Sequence, residues 1–328
     1  MDIYSIYKKS VMIGLKYDPR GYKKIGNIIE AIKDIKDDTN NLPQNPYLDT
    51  RILNSEKKDN LNRKVLVGLD VGVGELLVAD RLNENGTGIG LVIAHRTEKS
   101  KLVESPIINI IQQNLLNDFG VPTCCGDKIF VKRLRELKNK PKEQIIERDL
   151  ETAKLLKIPY ICIHTPADNL ITTFLLNYIR SNNPEKNEEI IKLLGEVNEY
   201  KLAMEKNYPP NLIVGSINDK CGKIFIDMIV DSNEFPEIYE KLSKKGYGTI
   251  ITMHASKAKI KEAKRCNLNL IETGQVASDT LGMNLILDEI FEDKNIEIIE
   301  CSGFKRFKRD RKISAKYLIR KEKKSNCA

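Results

Sequence analysis

The chain is poor in the residue types that most often mark a site. Three histidines occur in 328 residues. Seven cysteines, at 124, 125, 162, 221, 266, 301 and 327, form no CxxC pair. Their number is odd and most lie in apolar or helical runs. This favours reduced thiols in a cytoplasmic protein over disulfides or a zinc knuckle. Cys327 stands one residue from the last residue given, so no prenylation box is expected. No apolar run approaches the length of a membrane span, so no membrane partner is expected. Met1-Asp2-Ile3-Tyr4 has no basic stretch leading into an apolar one, so no secretory leader is expected. No phosphate loop is expected either. Asp70-Val71-Gly72-Val73-Gly74-Glu75 has no GxGxxG and no following Lys-Ser/Thr, and acids stand at both ends. It reads as a turn that needs small residues. Cys124-Cys125 reads as two small loop residues.

What is present is 41% hydrophobic and 30% charged residues, enough for a sizeable core with a solvated surface. The net charge of +8 is not spread evenly. Residues 303–328 hold 11 Lys/Arg and 2 Asp/Glu, which leaves 43 against 44 for the remainder, a net of −1. The body is neutral and the tail basic. Phe304-Lys305-Arg306-Phe307-Lys308-Arg309 interleaves aromatics with cations, a pattern that suits nucleic acid through phosphate contacts and stacking. A solubilising tail is the plainer reading. The tail has little core-forming pattern and reads as removable, although Ile313, Tyr317 and Ile319 could add a strand.

Apolar spacing predicts helices over 2–16 and 22–37, an Asn-, Asp- and Pro-rich connector over 38–62, and then strands alternating with helices. Strands are predicted at 64–69, 89–94, 158–163, 212–214, 223–230, 249–253, 269–271 and 296–300. Helices are predicted at 75–82, 107–119, 126–156 with a break near Pro141, 167–180, 185–206, 237–244, 256–266 and 277–291. This alternation implies an α/β fold. The chain divides into N-terminal helices and connector (1–62), an α/β core (63–304) and the basic tail (305–328).

Each histidine follows an apolar run that reads as a buried parallel strand: Leu91–Ala94 before His95, Tyr160–Ile163 before His164, and Ile250–Met253 before His254. The carboxyl rim of such strands is where ligands bind in open α/β sheets. In His164-Thr165-Pro166-Ala167-Asp168 the imidazole and the carboxylate lie four residues apart across a strand-to-helix turn. That spacing serves a metal site or an acid–base pair. Capping by Thr165 or Asp168 is the alternative. Gln275 and Asp279 also lie four apart and share a face if their helix begins early. Otherwise Ser278 or Asp279 simply starts the helix.

Taken in order, several motifs resemble the NIF-three-like family, also known as GTP cyclohydrolase type 2 homologues. They are Gly68-Leu69-Asp70, Gly74-Glu75-Leu76-Leu77, Ile93-Ala94-His95, His164-Thr165-Pro166-Ala167-Asp168-Asn169, Gly274 with Ala277-Ser278-Asp279-Thr280-Leu281-Gly282, and Cys301-Ser302-Gly303-Phe304. The resemblance covers about residues 1–304 and is strongest to a longer bacterial and archaeal branch. It implies a two-lobed α/β fold with related halves around a central cleft. It also implies a homo-oligomer, in many members a toroidal hexamer, and a cleft that usually holds two divalent metals. By position the family's ligands fall on His95, Arg96, Asp168, Gln275 and Asp279. Arg96 has no lone pair to offer, and Gln275 offers an amide oxygen suited to hard ions. A guanidinium about 6 Å from a divalent ion would repel it by roughly 5 kcal/mol at an effective dielectric near 20.

The expectation is therefore a degenerate or mononuclear cleft. His95, Asp168, Gln275 and Asp279 are its candidate metal ligands, for Zn, Fe, Mn or Co. Arg96 either swings away or replaces a metal by pairing with Asp168 and Asp279. The expected chemistry is metal-assisted hydrolysis of a small, nucleotide-like substrate, with His164 or His254 moving protons. The alternatives are a non-enzymatic assembly or regulatory protein with a vestigial site, or a nucleic-acid-associated ring that uses the basic tail.

Overall fold

The computed structural model describes residues 1–19, 45, 47, 49–55, 64–97, 147–228, 238–292, 295–310 and 316–318. The helices expected at 22–37 and 107–119, the break near Pro141 and Cys124-Cys125 lie outside these residues.

Helix α1 (Ile3–Lys16) begins at Asp2, whose carboxylate accepts from the Ser5 amide at 2.7 Å and caps it. Strand β1 (Arg51–Asn54) is followed by β2 (Lys64–Val71), α2 (Val73–Glu84) and β3 (Ile89–Thr97). Then come α3 (Arg148–Leu155), β4 (Tyr160–Cys162), α4 (Thr165–Asn182), α5 (Asn187–Gly195) and α6 (Asn198–Glu205). The second half runs β5 (Asn211–Val214), β6 (Lys223–Asp227), α7 (Ile238–Lys244), β7 (Tyr247–Thr252), α8 (Lys257–Arg265), β8 (Asn269–Glu272), α9 (Gln275–Phe291) and β9 (Glu297–Cys301).

Two sheets form. The first has the order β1-β4-β3-β2-β9 and the second the order β5-β8-β7-β6. In each, three neighbouring strands run parallel and one edge strand runs antiparallel: β1 against β4, and β5 against β8. Strand β9 adds in parallel to β2. The order β1-β4-β3-β2 thus repeats as β5-β8-β7-β6, and the molecule has two related lobes.

The apolar alternation explains how the lobes join. Val65, Val67, Leu91 and Ile93 from the first sheet share one buried cluster with Ile226, Ile251 and Ile271 from the second. Residues of α1, α4 and α9 fill the space between them, including Ile6, Ile171, Leu281 and Ile286. Leu66, Val92 and Ala94 point the other way and pack with residues of α2 and α3. Phe225, Ile250 and Leu270 do the same beneath α7 and α8. Strands covered on both faces read as continuous apolar runs, as these do. Helices α4 and α9 touch closely at Gly282. A Cβ there would stand 2.8 Å from the Ile171 side chain and 3.0 Å from the Ala167 carbonyl oxygen. No helix among the described residues is long and apolar enough to cross a membrane.

Several sequence expectations are corrected. The connector over 38–62 contains β1, a four-residue edge strand with a register shift between Ile52 and Asn54. It is too short and irregular for an alternating pattern. The single helix expected over 185–206 is two, because Gly195 ends α5 and Val197 adopts an extended conformation before α6. Strand β3 runs to Thr97 by pairing Asp70 with Arg96 and Val71 with Thr97, so His95 lies within it rather than past its end. The turn expected at Gly72–Gly74 is the start of α2, where Glu75 accepts from the Gly72 amide at 2.8 Å.

The start of the basic tail is part of the packed body. Phe304 is buried, and Arg306 pairs with Asp288. Arg309 pairs with Glu199 and lies over the Phe174 ring. Further on, Tyr317 packs edge-on against Phe174 and Tyr178, and Leu318 is buried. The described start of the tail is thus packed, with its cations paired to carboxylates of the body.

Candidate metal centre

The ends of β3 and β4 and the first turns of α4 and α9 meet at one place. His95 comes from β3 and is fully buried. His164 precedes α4 as its N-cap and makes no side-chain cap bond. Asp168 stands one turn further on, because α4 begins at Thr165 rather than at 167. Helix α9 likewise begins early, at Gln275, which places Asp279 in its second turn facing inward with 1% of its side chain exposed. The capping alternatives for Asp168 and Asp279 therefore lose to the helix starts. Both helices begin before these residues, and neither carboxylate is left at an end to cap.

The hydrogen bonds fix the roles of the donor atoms. The Nδ1 of His95 lies 3.2 Å from the Ile163 carbonyl oxygen. A carbonyl only accepts, so Nδ1 carries a proton, and Nε2 is the ring nitrogen turned toward the carboxylates. That Nε2 stands 3.3 Å from Asp279 Oδ1 and 3.6 Å from Asp168 Oδ1. All three atoms are buried, and none has a hydrogen-bond partner. One imidazole nitrogen and two carboxylate oxygens thus converge. Buried polar groups left in this way cost free energy unless a proton or a cation joins them.

His164 lies beside this trio. Its ring meets that of His95 edge-on, with centroids 4.6 Å apart. Its Nε2 is 3.5 Å from Asp168 Oδ2, and its Nδ1 is 3.3 Å from Asp49 Oδ2. His95, His164 and Asp168 each offer an atom within 4.8 Å of the others. Burial disfavours the charged imidazole, but Asp168 and Asp49 outweigh it and push the His164 pKa up to about 9. Burial raises the Asp168 carboxyl to about 6 against the pull of both histidines. For Asp279 burial also acts upward, and His95, Arg96 and His164 together hold the carboxyl below its usual range.

Arg96 follows His95 on β3 and points to the other oxygen of Asp279, with which it pairs. Its Nε donates to Asp70 Oδ1 at 3.0 Å. With the Gln275 amide oriented so that its oxygen faces the guanidinium, that oxygen accepts from Nη1 at 2.6 Å and from Nη2 at 3.3 Å. Gln275 thus serves Arg96. Of the two carboxylates expected to pair with Arg96, Asp279 does so, and Asp70 rather than Asp168 supplies the other ion pair.

His254 does not join the group. It follows β7 in the second lobe, is exposed, and places Nδ1 3.1 Å from Glu272 Oε1. Glu272 also accepts from the Ala255 amide at 2.8 Å, which fixes the pair to its loop. Sequence reasoning missed Asp49. It is buried, accepts from the Thr165 hydroxyl and faces His164. It sits in the stretch read as connector, and no local pattern distinguishes it there.

Neither a comparison with protein-family profiles nor one with curated proteins gives a match. Solved structures do. A crystal structure of a NIF3 superfamily protein from Sphaerobacter thermophilus aligns with 90% of this chain and 97% of its own, at 21% identity and a TM-score of 0.65. Reduced HcgD from Methanocaldococcus jannaschii aligns over 85% of this chain and 96% of its own, at 12% identity and a TM-score of 0.45. The chain has the NIF3 fold, as its motif order implied, with two related α/β lobes around the donor group.

Proposed function

We propose that this NIF3-fold protein binds one divalent metal ion in its cleft through His95, Asp168 and Asp279, and that it hydrolyses a small, nucleotide-like substrate. The observation that carries the metal reading is the convergence of His95 Nε2, Asp168 Oδ1 and Asp279 Oδ1, all buried and all unpartnered. One imidazole nitrogen and two carboxylate oxygens suit Zn, Fe, Mn or Co. The bond between His95 Nδ1 and the Ile163 carbonyl orients the imidazole as the outer partners of metal-ligating histidines do. The substrate class rests on the family resemblance.

When bound, such an ion supplies Lewis acidity toward water and toward a phosphoryl or carbonyl oxygen. The chain's own groups supply the rest. His164, held by Asp49 through Nδ1, turns Nε2 toward the donor group, where it can pass a proton to a leaving oxygen. Thr165 and Asp49 fix the ring so that Nε2 faces the donor group. Arg96 keeps 20% of its side chain exposed and offers positive charge to an anionic substrate group at the rim. His254, paired with Glu272 in the other lobe, stands outside the donor group and takes no part in this step.

Metal content and turnover test this together. The protein, stripped with chelator and reloaded with Mn²⁺ or Zn²⁺, should retain metal through desalting. Asp168→Asn and His95→Ala should lose it. His164→Gln should keep the ion but lose phosphate release from nucleoside triphosphates or phosphate monoesters. Full metal retention by folded Asp168→Asn would refute the site. Unchanged turnover in His164→Gln would refute the proton assignment.

A further inference from the structure

The two oxygens of Asp279 face two different environments. Oδ1 faces His95 Nε2 without a hydrogen-bond partner, and Oδ2 receives the Arg96 guanidinium. Around that guanidinium, oxygens of Asp70, Asp279 and Gln275 converge from β2 and α9. Two carboxylate oxygens and an amide oxygen around one point form a donor set for a hard divalent cation. Here the chain's own guanidinium occupies it.

We infer that Arg96 acts as a built-in cation that limits the cleft to one divalent ion per chain. The inference rests on the metal site proposed above. Charge decides the stoichiometry. Asp168, Asp279 and Asp70 stand around the two cation positions, and Arg96 already neutralises one unit of their charge. One divalent ion at His95 brings the total to neutrality. A second ion would have to bind beside a fixed positive charge, with all three of its oxygens already engaged as acceptors from that guanidinium.

The anchoring makes the guanidinium a poor candidate for displacement. Its Nε and both terminal nitrogens each have an oxygen partner, and those partners come from two separate elements. A planar fork held at three points does not swing aside without breaking all of them. The Asp70 anchor is half of the reason. That residue is exposed and pairs directly across β2 and β3 with Arg96.

The test counts ions in the folded full chain by native mass spectrometry and elemental analysis after loading with excess Mn²⁺ and desalting. Wild type should hold one ion, and Arg96→Lys should also hold one, because the charge remains. Arg96→Ala and Arg96→His should hold two, at Mn²⁺ concentrations where wild type holds one. Near-UV circular dichroism confirms folding before counting. Two ions in wild type would overturn the inference even if every variant misfolds. So would one ion in both folded Arg96→Ala and folded Arg96→His. The failures separate cleanly: no ion in wild type, or retention by His95→Ala, removes the underlying site, whereas a wrong count with a working site removes only the role of Arg96.

Discussion

Replacing Arg309 by Met tests how far the C-terminal segment belongs to the core. Glu199 has no exposed side-chain surface, and Arg309 has 8%. The carboxylate has two partners. Arg309 pairs with Oε2, and the Asn284 amide donates to Oε1 at 2.9 Å. The substitution keeps most of the aliphatic stem, so packing loss is small. It leaves a buried carboxylate with one neutral donor. Removing one partner of a buried pair costs about 3–5 kcal/mol, because the remaining charge is uncompensated. The lost contact with the Phe174 ring adds about 0.5–1 kcal/mol. A loss of this size is a large share of the roughly 5–15 kcal/mol that holds a typical protein folded. Urea denaturation followed by circular dichroism reads it as a lower midpoint. Adding Glu199→Gln in the Arg309→Met background should recover part of the loss, since the buried charge is gone. The exposed pair Arg81–Glu84 supplies the control, and Arg81→Met should change stability by about 0.5 kcal/mol or less. A loss under about 1 kcal/mol for Arg309→Met, or no recovery with Glu199→Gln, would refute the reasoning.

Gly282→Ala should destabilise the protein by about 1–3 kcal/mol despite its better helix propensity, because the new methyl meets Ile171 and the Ala167 carbonyl across α4 and α9. A thermal midpoint equal to wild type would contradict this close approach. Lys259→Met should cost about 3 kcal/mol or more in urea titrations, because it leaves buried Asp227 without the ammonium 3.3 Å away. In metal-free protein, the folded His164 pKa of about 9 lies above its ordinary value of 6.5. Its stabilising contribution is therefore full below pH 6.5 and lost as the pH rises through about 9. The stability advantage of wild type over His164→Gln should shrink across that window, and a pH-independent difference would count against the Asp49–His164–Asp168 arrangement.

The sequence was most legible where one strand is buried on both faces and one turn follows it. Ile93-Ala94-His95 and Ile163-His164 announced buried strands and a rim, because β-branched runs have few other uses. The four-residue spacings of His164 with Asp168 and of Gln275 with Asp279 gave helical faces once the helices began early. Helix ends were less legible, since propensity does not locate a cap without a clear capping side chain. Neither α4 nor α9 has one. Asp49 was illegible for a different reason. Its partners His164 and Thr165 lie more than a hundred residues away, and no local pattern encodes a contact at that distance. The tail misled because charge in sequence does not reveal whether a counter-charge is buried nearby. Glu199 and Asp288 supply that charge from α6 and α9.

The repeat of strand order explains why the chemistry gathers on one side of the cleft. The amide of Ile163 donates to the Ala94 carbonyl in the first lobe, and the amide of Thr273 donates to the Thr252 carbonyl in the second. These bonds match Ala94 with Thr252 and therefore His95 with Met253. The next position matches Arg96 with His254. The second lobe has thus replaced the buried imidazole by a thioether, a much weaker ligand for Zn, Fe, Mn or Co. At its rim it has an internal pair, Lys259 with Asp227, in which the lysine also donates to the Thr252 hydroxyl at 2.8 Å. That lysine is satisfied and buried, and it presents nothing to a ligand. The lobe's contribution to the donor group comes instead from α9, through Asp279, which reaches back to His95 and Arg96 of the first lobe. One carboxylate therefore ties the two halves together at the donor group. Removing it should disturb metal binding and the packing of α9 on the first sheet at once, whereas a change at Asp168, supplied by the first lobe's own helix, should affect the ion with far less effect on how the lobes join.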